Sequence, residues 1–112
     1  MENNKISIDD FKKVEIKIGH ILQAEKVPET DKLLRLAVDF GEEKPRQIIS
    51  GIAVYFQDLE KLIGKKCAFA TNLEPHTIKG LESNGMILAV SGDNFFSLLE
   101  VSSDVLPGAA TK

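Results

Sequence analysis

Val14-Glu15-Ile16-Lys17-Ile18-Gly19-His20-Ile21-Leu22 is the stretch on which the fold turns. Apolar and polar residues alternate strictly through Ile18, the pattern of a half-buried strand. Gly19 interrupts the alternation, and Ile21-Leu22 then shifts its phase. An isolated glycine inside a strand pattern marks a bulge or a sharp bend. A long first strand bent at Gly19 is what a small closed barrel requires.

Upstream, Ser7 followed three residues later by Asp10 has the spacing of a capping box opening a short helix over 8–13. Downstream, Pro28-Glu29-Thr30-Asp31 is a loop. Leu34, Leu36, Val38 and Phe40 then share one face of a second strand, with Arg35, Ala37 and Asp39 on the other. Gly41-Glu42-Glu43-Lys44-Pro45 is a hairpin loop into a third strand over 46–52. Residues 58–63 read as a turn or two of helix stopped by Gly64. A fourth strand spans 66–72, a fifth 85–90, and a further one 95–101 after the turn Gly92-Asp93-Asn94. No repeat or linker divides the chain, so 1–112 reads as one domain. Its class is all-β with short helices. Five principal strands, a bent first strand and a helix between strands three and four follow the order of an OB-fold, a five-stranded Greek-key barrel.

The composition, 43% hydrophobic and 28% charged over 112 residues, suits one folded core rather than disorder. No stretch approaches the roughly 20 apolar residues of a membrane helix. The polar start MENNKISIDDFKK has no apolar segment of a secretory signal, and the expected location is cytoplasmic, with no membrane partner. The lone Cys67 excludes an intrachain disulfide and reads as a buried structural thiol. With only two separated histidines beside it, neither a metal site nor a cofactor is expected. The net charge of −3 argues against a nucleic-acid binder when taken as a sum. Its distribution is uneven: Lys61, Lys65, Lys66 and Lys79 against Glu74 and Glu82 make residues 61–85 locally basic.

Catalytic patterns are missing. Ser50-Gly51 follows Gln47, Ile48 and Ile49 and so lacks a nucleophile elbow; His20 and His76 have no partner at a motif spacing, and no glycine-rich phosphate loop occurs. The densest polar cluster is 72–86. There Asn72, Lys79 and Ser83 can offer an amide, a cation and a hydroxyl to a sugar–phosphate backbone, and Met86 an apolar contact to an unstacked base. Each also has a plain structural role: Asn72 as a turn cap, Met86 as core filler. Arg35 and Arg46 fall near each other on the outer face of the second and third strands. They can track phosphates or simply answer Asp39, Glu42 and Glu43.

Thr30-Asp31-Lys32-Leu33-Leu34, Val38-Asp39-Phe40-Gly41-Glu42, 46–52, Asn72-Leu73-x-Pro75 and 79–89 occur in fixed order. Together they resemble the tRNA-binding domain at the C-terminus of many methionyl-tRNA synthetases, also found as free-standing structure-specific tRNA-binding proteins and in the endothelial monocyte-activating polypeptide. The resemblance runs from about Ile8 to Gly108. It implies an OB-fold, no catalysis and recognition of tRNA by shape. It also implies a homodimer, for which the C-terminal extension over 95–112, with apolar Val101, Val105, Leu106 and Pro107, is the expected contact. A methionyl-tRNA synthetase catalytic chain is an implied partner, with this chain as its beta subunit, its C-terminal domain or a factor acting in trans. The contact residues implied are Lys32, Arg46, Ser50, Asn72, Lys79, Ser83 and Met86, with Arg35 added from strand geometry. Glu74 and His76 stand where the family usually carries basic residues, so weaker binding is expected. That departure and the acidic pI favour one alternative, a chaperone-like peptide-binding dimer of the CsaA type.

Overall fold

In the computed structural model, which describes residues 4–112, a single turn of helix, α1 (Ile8–Phe11), precedes nine strands among the described residues. These are β1 (Ile16–Lys26), β2 (Leu34–Asp39), β3 (Arg46–Ser50), β4 (Lys66–Ala70), β5 (His76–Ile78), β6 (Leu81–Ser83), β7 (Met86–Ile87), β8 (Ala89–Gly92) and β9 (Phe95–Leu98). Two 3-10 turns, Ala53–Tyr55 and Leu59–Lys61, lie between β3 and β4. The first three residues of the expected 1–112 span lie outside those described.

β1 is long because it serves two partners. Ile16–His20 pair with β4 and His20–Lys26 with β2, both antiparallel. The sheet order is β3-β2-β1-β4-β7. Four antiparallel steps leave β3 and β7 running in the same direction, and β3 meets the β6–β7 link through Asn84 N–H donating to the Gln47 carbonyl. That contact brings the sheet round to its own first strand. The architecture is the OB-fold, a nearly closed five-stranded barrel.

The fifth barrel strand is split. Ile87 lies opposite Phe69 and Glu100 opposite Cys67, both antiparallel to β4. The β8–β9 hairpin leaves between them, and Leu99 N–H returns to the Leu88 carbonyl. The sequence pattern merged the first half with β8 because Met86–Val90 is one apolar run. Residues 67–71 are buried on both faces rather than alternating.

The bend differs from expectation in place. The register slips between Ile21 and Gln23, so the irregularity sits at Leu22. Gly19 stays in register with Cys67 and answers a packing demand instead. A Cβ there would lie 2.5 Å from Val38 Cγ1, 2.7 Å from Phe40 Cε1 and 2.9 Å from Phe69 Cε1. Phe40 and Phe69 meet edge to face with centroids 5.2 Å apart, a favoured aromatic geometry. The expected helix over 8–13 ends at Phe11, with the Ser7 hydroxyl accepting from Asp10 N–H at 3.0 Å as the cap. The expected helix over 58–63 is a 3-10 turn capped by Asp58, and Gly64 beyond it is left-handed.

The barrel interior holds Ile21, Leu34, Leu36, Val38, Ile48, Leu62, Cys67 and Phe69, all fully buried. The edge of β1 at its start is covered in cis. Residues 108–111 pair with the start of β1 through Gly108 N–H to Ile18 O, Ile18 N–H to Ala109 O and Thr111 N–H to Ile16 O. No helix among the described residues is long and apolar enough to cross a membrane.

Two measurements follow from this packing. Gly19→Ala must displace the Val38 methyl and two aromatic rings and should cost about 1–3 kcal/mol, read as a lower urea midpoint at unchanged slope; an unshifted midpoint would contradict the close approach. Burial pushes the Cys67 thiol up to about 11, so the thiol stays protonated at neutral pH. A disulfide reagent should label it only at the rate of global or local opening, and rapid labelling of the folded chain would refute that.

Candidate nucleic-acid interface

The polar stretch 72–86, read from sequence as a loop, contains a hairpin. β5 and β6 pair Ile78 with Leu81, leaving Lys79-Gly80 as a two-residue turn. Both turn residues are left-handed, Lys79 at φ 52° and Gly80 at φ 81°. This is the backbone a tight hairpin needs, and glycine adopts it freely. For lysine it costs roughly 1–2 kcal/mol. Three-residue strands are too short to show a period, so the sequence gives this hairpin no signal beyond Lys79-Gly80 itself.

The hairpin tip stands against the β1–β2 loop. Glu29, Thr30, Asp31, Lys32 and Leu33 form one wall of a groove of about 410 Å³, and Ile78 and Lys79 the other. Two cations read from distant parts of the sequence, Lys32 and Lys79, thus line one groove. Neither forms an ion pair with another described residue. Glu29, the second non-glycine left-handed residue at φ 64°, is on the same rim. Ser50 ends β3 opposite Leu34 at this end of the barrel, half-buried. The groove lies between the loops of strands one–two and four–five, where OB-folds commonly bind their ligands.

Arg46, Asn72 and Met86 gather at the opposite end. Arg46 holds a forked ion pair with Glu42, Nε to Oε1 at 2.9 Å and Nη2 to Oε2 at 2.7 Å. Its Nη1 donates to the Thr71 carbonyl at 2.7 Å, and the guanidinium lies 5.2 Å from the Phe40 ring centroid. The carboxylate partner raises the Arg46 pKa, and Arg46 holds Glu42 below its usual range, both chiefly through the hydrogen bonds they share. The side chain of Asn72 is also engaged: its Oδ1 accepts from Glu15 N–H at 2.8 Å and its Nδ2 donates to the Lys13 carbonyl at 2.6 Å. It ties the end of β4 to the entry of β1. Met86, opposite Ala70, is 49% exposed and therefore not core filler.

Ser83 lies between the two groups and is fully buried. Its hydroxyl accepts from Ile49 N–H at 3.0 Å and donates to the Gly85 carbonyl at 3.2 Å. Arg35 and Arg46 line one shallow outer groove with Gln23 and Gln47, but Arg35 is paired with Glu25 and Arg46 with Glu42. The basic segment 61–85 does not form one patch either. Lys65 pairs with Glu100 at 3.1 Å and Lys66 donates to the Ser103 carbonyl, which leaves Lys79 in a separate groove. Sequence reasoning missed Leu33 and Ile78 as groove residues, and Glu29 and Asp31 as its carboxylates.

The chain matches the family described as "Putative tRNA binding domain" over residues 16–110. The methionine–tRNA ligase of Thermotoga maritima is 47% identical over 108 residues, 96% of this chain but 17% of that ligase. A MetRS-related protein from Pyrococcus horikoshii superimposes at TM-score 0.89 with 37% identity, covering 100% of both chains. The chaperone CsaA from Bacillus anthracis str. Ames follows at 0.82 with 26% identity, covering 96% of this chain and 99% of that one. By fold, motif order and sequence, the chain belongs to the tRNA-binding domain family.

Proposed function

We propose that the chain is a non-catalytic module that binds tRNA by its shape, in the cytoplasm. One observation carries the reading: in a member of this family, two lysines distant in sequence line one groove, and neither is held in an ion pair with a described residue. An unpaired cation is available to a phosphate at no cost of breaking an internal pair, whereas Arg46 must first release Glu42. Lys32, Arg35, Lys79, Ser50 and Met86 are the direct contacts in this account. Arg35 joins them because its pair with Glu25 is exposed on both sides and worth little in water. Arg46, Asn72 and Ser83 hold the surface that presents them.

The ligases matched are far longer than this chain, which spans 17% of the Thermotoga maritima protein. The role proposed is therefore to supply tRNA affinity to a methionyl-tRNA synthetase catalytic chain, in cis or in trans. The family's usual cations are replaced by Glu74 and His76, which makes affinity modest. A homodimer would compensate by presenting two surfaces to one tRNA. Supporting it, Ile6, Ile8 and Leu106 are each about two-thirds or more exposed, apolar surface that a second copy would cover. Val101 and Val105 are half-buried, and 108–111 are already paired with β1.

Bulk tRNA should bind with an affinity that falls as salt rises, with little preference among tRNAs. Lys79→Ala and Lys32→Ala should each weaken binding several-fold and reduce the salt slope by about 1. An affinity indifferent to salt would overturn the phosphate account. The similarity to CsaA favours the second reading, a peptide-binding chaperone; suppression of aggregation by a chain that ignores tRNA would put that reading first. Sedimentation giving a monomer mass at every concentration would end the dimer proposal.

A further inference from the structure

We propose that the groove between the β1–β2 loop and the β5–β6 hairpin takes a single unstacked nucleobase, and prefers one that carries an amino group. This rests on the tRNA reading and adds to it a contact that shape recognition alone does not require.

The groove is poorly built for phosphate alone. Lys32 and Lys79 are balanced by Glu29 and Asp31 on the same walls, so its net field is close to neutral. A polyanion cradle would carry cations without their opposites. Leu33 on one wall and Ile78 on the other, both partly buried, give the groove an apolar part. A volume of about 410 Å³ is of small-ligand size. The arrangement therefore suits a flat apolar body with hydrogen-bond donors at its edge and a phosphate at its side. A nucleobase with its own phosphates has all three properties. Its face would rest on Leu33 and Ile78, and its phosphates would meet Lys32 and Lys79.

The carboxylates set the preference. Glu29 and Asp31 form no ion pair with any described residue. An ionised carboxylate only accepts hydrogen bonds, and acidic side chains read the cytosine amino group for this reason. Uracil, of the same size, offers a carbonyl in that place and would meet a carboxylate with repulsion. The loop carrying these groups is held in shape, with Thr30 N–H and its hydroxyl both directed to the Val27 carbonyl at 3.3 and 2.8 Å. The acceptors are thus presented before any ligand arrives.

The test is a titration of the full chain, followed by methyl and amide NMR, with cytidine and uridine tetranucleotides and with bulk tRNA. Cytidine tetranucleotide should shift the Leu33 and Ile78 resonances and bind about tenfold more tightly than the uridine one. Glu29→Gln combined with Asp31→Asn should erase the difference, because an amide can donate to the uracil carbonyl; both residues are exposed, and an unchanged amide spectrum elsewhere checks the fold. Equal binding of the two tetranucleotides, or shifts that bypass Leu33 and Ile78, overturns the base site. If tRNA still binds in that case, the tRNA reading survives without it. If tRNA and tetranucleotides both fail to bind, both fall. Peptide binding at Leu33 and Ile78 in place of either nucleic acid would assign the groove to the other class of ligand.

Discussion

The barrel closes on one buried hydroxyl. Ser83 takes the Ile49 amide at 3.0 Å and gives its proton to the Gly85 carbonyl at 3.2 Å, with no exposure to solvent. Without it, the Ile49 N–H would face the seam with no acceptor, and an unpaired buried amide costs about 1–3 kcal/mol. The Gln47 side chain adds a bond to the Glu82 carbonyl at 2.9 Å, and Asn84 N–H one to Gln47 O. These three contacts fix the base of the β5–β6 hairpin on β3. The position of Lys79 at the tip, against the β1–β2 loop, follows from that attachment. The site is thus a consequence of how the barrel is sealed.

Much of this was legible in the residues. Leu34, Leu36 and Val38 alternate with Arg35, Ala37 and Asp39 because β2 has one face in the core and one in water, and the structure keeps that split. Gly19 was visible as a special position, yet its reason was not: two rings crowd it from β4 and from Phe40, and no local pattern encodes a contact from across a barrel. The β5–β6 hairpin was hidden by its length. The fifth strand was misread because Leu88 to Leu99 makes an excursion that resumes the same edge of β4, a connection set by tertiary pairing alone.

The site was legible in its residue types and not in its allegiances. Sequence placed Arg35, Arg46 and Lys79 in one class, as cations near a presumed backbone. The structure separates them by what each already holds. Arg46 serves Glu42, Thr71 and Phe40, and Arg35 serves Glu25, while Lys79 is unengaged among the described residues. Asn72 and Ser83 likewise spend their polar atoms on Glu15, Lys13, Ile49 and Gly85. A motif residue can matter to binding without touching the ligand, by fixing the backbone that does.

The net charge of −3 does not by itself exclude an anionic ligand at one face. At physiological salt, charge is felt over about 8 Å, so the molecular total matters less than the few groups lining a groove. Among the described residues Lys13, Lys17, Arg35, Arg46 and Lys65 are answered by Asp10, Glu15, Glu25, Glu42 and Glu100. In the groove itself Lys32 and Lys79 stand beside Glu29 and Asp31, and these four side chains set the local field. Lys79 is further distinguished by its backbone: at the tip of a two-residue turn it is left-handed, where asparagine or glycine would rest without strain. A chain needing only the turn would do better with asparagine there. A lysine kept there against its backbone preference agrees with the proposed contact between its side chain and an anionic ligand.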